Sequence, residues 1–77
     1  MQTRKIKLSS IEDVKQFVNA TLDCPYEVDV ISGRYIVDAK SIMGLFSMDL
    51  TKPVEMSINT DADCSKFLEK IKEFTVE

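Results

Sequence analysis

Side chains able to perform chemistry are scarce in this chain, and histidine is absent from it. Without an imidazole, only weak serine–lysine combinations remain as nucleophile and base. The carboxylates of Glu12-Asp13 and Asp61-x-Asp63 stand at the starts of predicted helices, where capping and compensation of the helix dipole explain them. The glycines are Gly33 and Gly44 alone, so the sequence holds no glycine-rich phosphate loop. We therefore predict that the protein is not an enzyme.

The two cysteines do not form a metal-binding pattern. Cys24 and Cys64 lie 40 residues apart, outside any CxxC spacing, and a zinc site needs more cysteine and histidine ligands than the chain has. We expect neither a metal nor another cofactor. The first residues lack the apolar core of a secretory signal, and no window approaches the length of a membrane span. A cytoplasmic protein with free thiols is the favoured interpretation, although the sequence leaves a disulfide open.

Composition and charge indicate a single globular domain. The chain has 77 residues, of which 44% are hydrophobic and 30% charged, so it is near the lower size limit for a self-sufficient core. The net charge is −3, and basic residues cluster only at Arg4, Lys5 and Lys7. A nucleic-acid-binding surface needs a larger basic patch. We therefore expect no nucleic-acid partner, and one domain over residues 1–77.

Alternation of apolar and polar residues predicts four strands, at 3–8, 26–31, 34–39 and 54–58. Ser32-Gly33 between the second and third strands is typical of a hairpin turn. Outward positions on these strands are expected to face solvent. They are Glu27, Asp29, Asp38, Glu55 and Ser57.

Helical spacing of apolar residues predicts three helices. The first begins at the capping box Ser9-x-x-Glu12 and ends at Cys24-Pro25. Its apolar stripe consists of Ile11, Val14, Phe17, Val18 and Leu22. Ser41 is predicted to cap a second helix over 42–50, and Lys52-Pro53 breaks it. Asp61 is predicted to cap the last helix, whose apolar positions are Cys64, Phe67, Leu68, Ile71 and Phe74. The element order is βαββαβα, which predicts an α+β sandwich with three helices on one face of a four-stranded antiparallel sheet.

The run from Ala39 to Leu50, AKSIMGLFSMDL, resembles the second helix of HPr, the phosphocarrier of the bacterial sugar phosphotransferase system. Lys40 to Gly44 is the specific part of the match, and elsewhere the resemblance lies in the order of elements. It implies an HPr-like open-faced β-sandwich. The family carries phosphate on a histidine, with an arginine two residues later. Alignment of the first helices puts Ser10 and Glu12 at these two positions.

These two replacements remove the chemistry of a phosphocarrier. A serine phosphoester holds its phosphate far more firmly than an imidazole does, so Ser10 does not substitute for histidine. Glu12 would repel the phosphoryl oxygens that an arginine steadies. The connection before the first helix also looks several residues shorter than the loop of the family. We predict no catalytic residues and no relay of phosphate through histidine.

The resemblance further implies that Ser41 is a regulatory phosphorylation site. In many Gram-positive bacteria, HPr kinase modifies the corresponding serine, and the product binds a transcription regulator of carbon catabolite repression. A helix N-terminus favours a dianion, which suits that role. The alternative is that Ser41 is simply a helix cap.

The second predicted helix carries more apolar residues than one buried stripe requires. Six of the nine residues from 42 to 50 are apolar, namely Ile42, Met43, Leu45, Phe46, Met48 and Leu50. The resemblance implies that Ile42, Met43 and Phe46 contact a protein partner, such as HPr kinase or the transcription regulator. A merely uneven edge of the core is the alternative, and the chain is expected to be a monomer or a weak homodimer.

The sequence thus predicts a non-catalytic, HPr-like regulatory protein of carbohydrate uptake and carbon catabolite control, switched by phosphorylation at Ser41. The alternative is a divergent domain that keeps the HPr scaffold for an unrelated protein-binding role without phosphorylation. Retention of Lys40 to Gly44 favours the first hypothesis, and Glu12 with the shortened loop favours the second.

Overall fold

The structure, a computed structural model, describes residues 1–76. Its elements are β1 (Gln2–Ile6), α1 (Ile11–Leu22), β2 (Val28–Ser32), β3 (Tyr35–Asp38), α2 (Ile42–Phe46), β4 (Val54–Ile58), α3 (Ser65–Lys70), a 3-10 turn (Lys72–Phe74) and β5 (Thr75–Val76). The predicted α+β architecture, an open antiparallel sheet with three helices, is confirmed. Within the described residues, no helix has the length and apolar character needed to cross a bilayer.

The sheet has five strands rather than the predicted four, in the order β3-β2-β4-β1-β5. The additional strand, β5, pairs with β1 through Ile6 opposite Thr75 and Lys5 opposite Val76. The Lys7 N–H donates to the Phe74 carbonyl at 2.8 Å, which holds the chain end beside β1. A strand of two residues is too short to show an alternation of apolar and polar residues, so the sequence pattern does not predict it.

The core lies between the inner face of the sheet and the helices. Val28 and Val30 of β2 point inward, as predicted, and are buried together with the alternate residues of the central strand β4. α1 covers them with the buried side chain of Phe17, and full burial of such side chains stabilises the fold by about 1.5–3 kcal/mol each. Other core members are Ile6, Leu8, Val14, Val18, Leu45, Val54, Met56, Ile58, Phe67, Ile71 and Phe74.

α1 begins one residue later than the capping box predicted. Ser10, not Ser9, is the N-cap, and its Oγ atom accepts a hydrogen bond from the Asp13 N–H at 3.1 Å. A capping box has a second hydrogen bond, in which a side chain of the first turn accepts from a backbone N–H before the helix. Here the Ser9 N–H donates to the Asp13 carboxylate at 3.0 Å, and Glu12 does not form this bond. Because Ile11 and Leu22 occupy the two ends of the helix, both remain exposed and neither joins the predicted apolar stripe.

α2 ends at Phe46, four residues before the predicted end. The Ser47 hydroxyl donates to the Gly44 carbonyl at 2.6 Å, and the Ser47 N–H reaches the same carbonyl at 3.2 Å, which terminates the helix. Met48 is nevertheless buried and Leu50 packs against the core, so the apolar run continues outside the helix. Apolar composition alone could not distinguish these two arrangements.

Gly44 allows α2 to lie close to β3. A Cβ atom at this position would lie 3.3 Å from the Val37 Cβ atom and 3.3 Å from the Ser41 Oγ atom. Both distances are shorter than ordinary contacts between such atoms. The glycine therefore sets the spacing between the helix and the edge of the sheet.

α3 is shorter than predicted and is not capped by Asp61. It starts at Ser65, whose N–H donates to the Asp63 carboxylate at 2.9 Å, whereas Asp61 accepts from the amino group of Met1. The helix ends at Lys70, and Ile71 and Phe74 reach the core from the turn that follows.

Ser57 is buried, although the alternation of apolar and polar residues along β4 predicted that it would face solvent. It lies on the outer face of the central strand, between Thr3 of β1 and Asp29 of β2. The Asn59 side chain donates to the Asp29 carboxylate at 3.1 Å, and the Ser57 hydroxyl lies 3.5 Å from the Asn59 amide oxygen. This polar cluster covers Ser57. The other outward residues are exposed or half-buried, as predicted.

Candidate functional site

An apolar surface lies where the start of α1 meets α2. Met43 is 74% exposed, Phe46 44% and Ile11 65%. Met43 and Phe46 are three residues apart on one helix, which places them side by side. Ile11 and Phe46 line the same depression. We call these three residues the α1–α2 surface.

The depression beside the α1–α2 surface is shallow and open, with a volume of about 550 Å³. Lys7 fixes one side of it, because its ammonium group donates to the Leu50 carbonyl at 3.1 Å. Thr51, which also lines the depression, donates hydrogen bonds to the Asp49 carboxylate, and these bonds lower the pKa of Asp49 below its ordinary value. The lining residues are Lys7, Leu8, Ser9, Ser10, Ile11, Val14, Phe46, Leu50 and Thr51.

Ser10 and Glu12, the residues matched to the histidine and arginine of HPr, lie in the first turn of α1. The Ser10 hydroxyl oxygen is occupied by the cap bond from the Asp13 N–H. Glu12 is exposed to solvent. The structure thus brings Ser10 to the edge of the depression with its side chain already serving the helix.

Ser41 is the N-cap of α2, as predicted, and is exposed. Its Oγ atom accepts from the Gly44 N–H at 3.2 Å, its carbonyl accepts from the Leu45 N–H at 3.1 Å, and its own N–H donates to the Asp38 carbonyl at 2.9 Å. All three bonds join Ser41 to residues within four positions of it. Its hydroxyl group is exposed to solvent, and its oxygen caps the first turn of a helix only five residues long.

The two charged side chains that precede Ser41 closely in the sequence, those of Asp38 and Lys40, already form hydrogen bonds. The Lys40 ammonium group donates to the Cys24 carbonyl at 3.0 Å, which ties the residue before Ser41 to the end of α1. The Asp38 carboxylate accepts from the Lys40 N–H at 2.9 Å. A phosphate on Ser41 would meet the free N–H groups of a short helix, with a carboxylate close to it in sequence.

Ile42, the third predicted partner-binding residue, is partly buried and packs against the core. It therefore offers less surface than Met43 and Phe46 do. Ile11 takes its place on the α1–α2 surface, although its helical spacing predicted a core residue. The signal was available, since Ser10 is the cap and Ile11 the first helical residue, a position that lies at the edge of a buried stripe.

A second depression, of about 370 Å³, lies between the end of α1 and the start of α3 and is lined in part by Cys24 and Cys64. Both are buried free thiols. Within the part of the chain that the structure describes, no three metal-ligating side chains come together. Nothing at this second depression matches a predicted site residue.

No protein-family model and no curated protein sequence matches this chain. Among solved structures, the crystal structure of HPr-C-His from Thermoanaerobacter tengcongensis aligns with 95% of this chain and 89% of its own length, with a TM-score of 0.77. This chain has the HPr fold. The two sequences are 20% identical, so the comparison establishes the architecture alone. The predicted HPr-like fold is thereby confirmed, with one strand more than predicted.

Proposed function

We propose that the protein is a non-catalytic, HPr-like interaction protein of carbohydrate uptake and carbon catabolite control, acting in the cytoplasm. The HPr fold and the resemblance of Lys40 to Gly44 support the family relation. The lack of any histidine supports a role other than relay of phosphate. Ser10, which stands at the position matched to the histidine, is a helix cap.

The α1–α2 surface carries the proposal. Exposed apolar side chains that adjoin one another commonly mark a protein-binding site, and a methionine adapts to the shape of its partner. Met43 is the most exposed large apolar residue of the described chain, Phe46 beside it is also exposed, and Ile11 extends the surface onto a second helix. HPr kinase and a transcription regulator of catabolite control are the proposed partners.

Phosphorylation of Ser41 is the proposed switch. Its hydroxyl group is exposed and stands two residues before Met43, so a phosphate would place two negative charges at the margin of the α1–α2 surface. Such a change would add a charge-assisted contact to an arginine of one partner and repel an acidic partner.

The second candidate function is an HPr-scaffold binding domain with an unrelated partner and no phosphorylation. The five-residue length of α2 favours it, because a short helix aligns few peptide dipoles toward a phosphate. The Asp38 carboxylate, at the end of β3 and three residues before Ser41, also opposes a dianion at Ser41.

The two candidates separate in one experiment. The protein is incubated with purified HPr kinase and ATP, and its intact mass is measured beside Ser41→Ala and Ser10→Ala variants. Ser10→Ala is the matched control, because it also removes a helix-capping serine. One added phosphoryl group that disappears only in Ser41→Ala supports the switch. No added mass in any sample, with a positive HPr control, leaves the second candidate.

The binding surface is tested by Phe46→Asp, with Leu22→Asp as the matched control. Leu22 is an exposed leucine at the far end of α1 and lies outside the α1–α2 surface. Loss of an aromatic anchor weakens a protein interface by more than about tenfold. Calorimetric titration with HPr kinase and with the regulator should show this loss for Phe46→Asp alone. Unchanged affinity for both variants would refute the surface assignment.

A further inference from the structure

β3 forms one edge of the sheet and exposes apolar side chains there. It pairs with β2 on one side and ends the strand order on the other. Ile36 is 64% exposed, and Tyr35 is also exposed. The strand, Tyr-Ile-Val-Asp, contains neither proline nor lysine, which are residues that commonly block pairing at an edge.

The hydrogen bonds of the β2–β3 hairpin fix which backbone groups face outward. The Ala39 N–H donates to the Val28 carbonyl at 2.8 Å, so these residues form a hydrogen-bonded pair. In an antiparallel ladder such pairs alternate with non-bonded ones. Val37 and Tyr35 therefore bond to β2, and Ile36 and Asp38 direct their N–H groups away from it. The Asp38 carbonyl is taken by the Ser41 N–H, whereas both backbone groups of Ile36 face the open edge.

The charges flanking this edge are self-complementary. Arg34 stands in the turn directly before β3, and Asp38 is the last residue of the strand, so a basic residue lies at one end of the edge and an acidic residue at the other. In an antiparallel pair centred on Ile36, each Arg34 stands opposite Asp38 of the other copy. The same register places Ile36 against Ile36 and joins the outward-facing backbone groups of these two residues.

We propose that β3 pairs antiparallel with β3 of a second copy of this chain, with the two-fold axis at Ile36. The pairing joins two five-stranded sheets into one continuous sheet. It uses a surface separate from Met43, Phe46 and Ile11. Because β3 is four residues long, the contact is small, and association should depend on concentration.

The test is sedimentation velocity between about 10 µM and about 1 mM protein. Wild type should shift from monomer toward dimer over this range. Arg34→Asp makes the edge wholly acidic and Asp38→Arg makes it wholly basic, so each variant alone should remain monomeric. A mixture of the two in equal amounts restores opposite charges across the pair and should associate again. Phe46→Asp is the control and should associate as wild type does.

A third variant tests the backbone contacts. Ile36→Pro removes an N–H that faces the open edge and leaves the bonds between β2 and β3 in place. It should lower the association constant at least about tenfold. Far-UV circular dichroism confirms that each variant is folded before its sedimentation is interpreted.

Several outcomes would overturn the proposal. Monomeric wild type over the whole concentration range would do so, as would failure of the charge-reversed mixture to associate. Association lost in Phe46→Asp but kept in the β3 variants would assign the dimer to the α1–α2 surface instead. If backbone amides of β3 shift in NMR spectra only on addition of HPr kinase or the regulator, the edge receives a different protein.

Discussion

Replacement of Thr21 by valine is expected to destabilise the protein by about 1 kcal/mol. Thr21 is completely buried near the end of α1. Its hydroxyl oxygen lies 2.7 Å from the Val18 carbonyl oxygen and 3.3 Å from the Ala39 carbonyl oxygen, and the one hydroxyl proton is shared between these two acceptors. Through this second contact, α1 is linked to the segment that leads into Ser41.

The magnitude follows from two opposing effects. Valine fills the same volume, and its additional methyl group contributes about 0.8 kcal/mol of apolar burial. Against this, the Ala39 carbonyl loses its hydroxyl donor, and a buried polar group without a partner costs about 1–3 kcal/mol. The Val18 carbonyl belongs to the helix and keeps a backbone donor there. The loss at Ala39 therefore outweighs the gain of the methyl group.

Thermal and urea unfolding of Thr21→Val, beside Thr21→Ser, measures the effect. For a domain of this size, each kcal/mol lowers Tm by about 4–8 °C. Thr21→Ser keeps the hydroxyl group and loses a methyl, at a cost of about 1 kcal/mol. Hydrogen exchange of the Ser41 N–H should accelerate in Thr21→Val but not in Thr21→Ser. A valine variant as stable as wild type would refute the assigned role of the hydroxyl.

Three further changes test other features of the fold. Gly33 has φ of 59°, so Gly33→Ala should cost about 1 kcal/mol in thermal unfolding, and Gly33→Asn should cost less. Ser10→Ala removes the cap bond to the Asp13 N–H and should lower the free energy of unfolding by about 1 kcal/mol in urea titrations. Hydrogen bonds from the hydroxyl and amide of Ser65 lower the pKa of Asp63 from 3.8. The ionised Asp63 carboxylate therefore stabilises the fold fully above pH 3.8, and this stabilisation is lost as the pH falls through the lower pKa of the folded state. Asp63→Asn should make the free energy of unfolding less sensitive to acid. Urea titrations from neutral to acidic pH measure this.

Much of the fold follows from local sequence chemistry. The alternation in Val54–Ile58 gave the bounds of β4 correctly, because one face of that strand is buried and the other is polar at most positions. Ser41 was correctly predicted as a cap, since a hydroxyl after a polar turn and before an apolar run satisfies a free N–H. Features that depend on distant partners were missed. β5 exists because Phe74 and Ile71 anchor the chain beside β1, and no local period encodes that.

The candidate site was only partly predictable for the same reason. The excess of apolar residues in the second helix indicated that some of them would be exposed, and Met43 and Phe46 are. Which ones are exposed depends on where α2 ends, and the hydrogen bonds that the hydroxyl and N–H groups of Ser47 donate to the Gly44 carbonyl mark that end. Ile11 was assigned to the core because its spacing fits the stripe, although the end of a helix projects beyond the surface it covers. The functional roles of Ser41, Ile42, Met43 and Phe46 stay predictions.

The position of β1 between β4 and β5 has a consequence for how the protein is made. Among the residues that pair with β1, those closest to it in the sequence belong to β4. Val54, which pairs with Ile6, follows that residue by 48 positions. During synthesis the first strand therefore emerges long before either neighbour exists, and Ile6, its one apolar residue, lacks a strand on both sides until β4 and β5 have been made. Closing so large a loop is slow compared with forming a hairpin such as β2–β3. We expect this domain to complete its folding only after β5 has left the ribosome, with the hairpin formed first and β1 docking last.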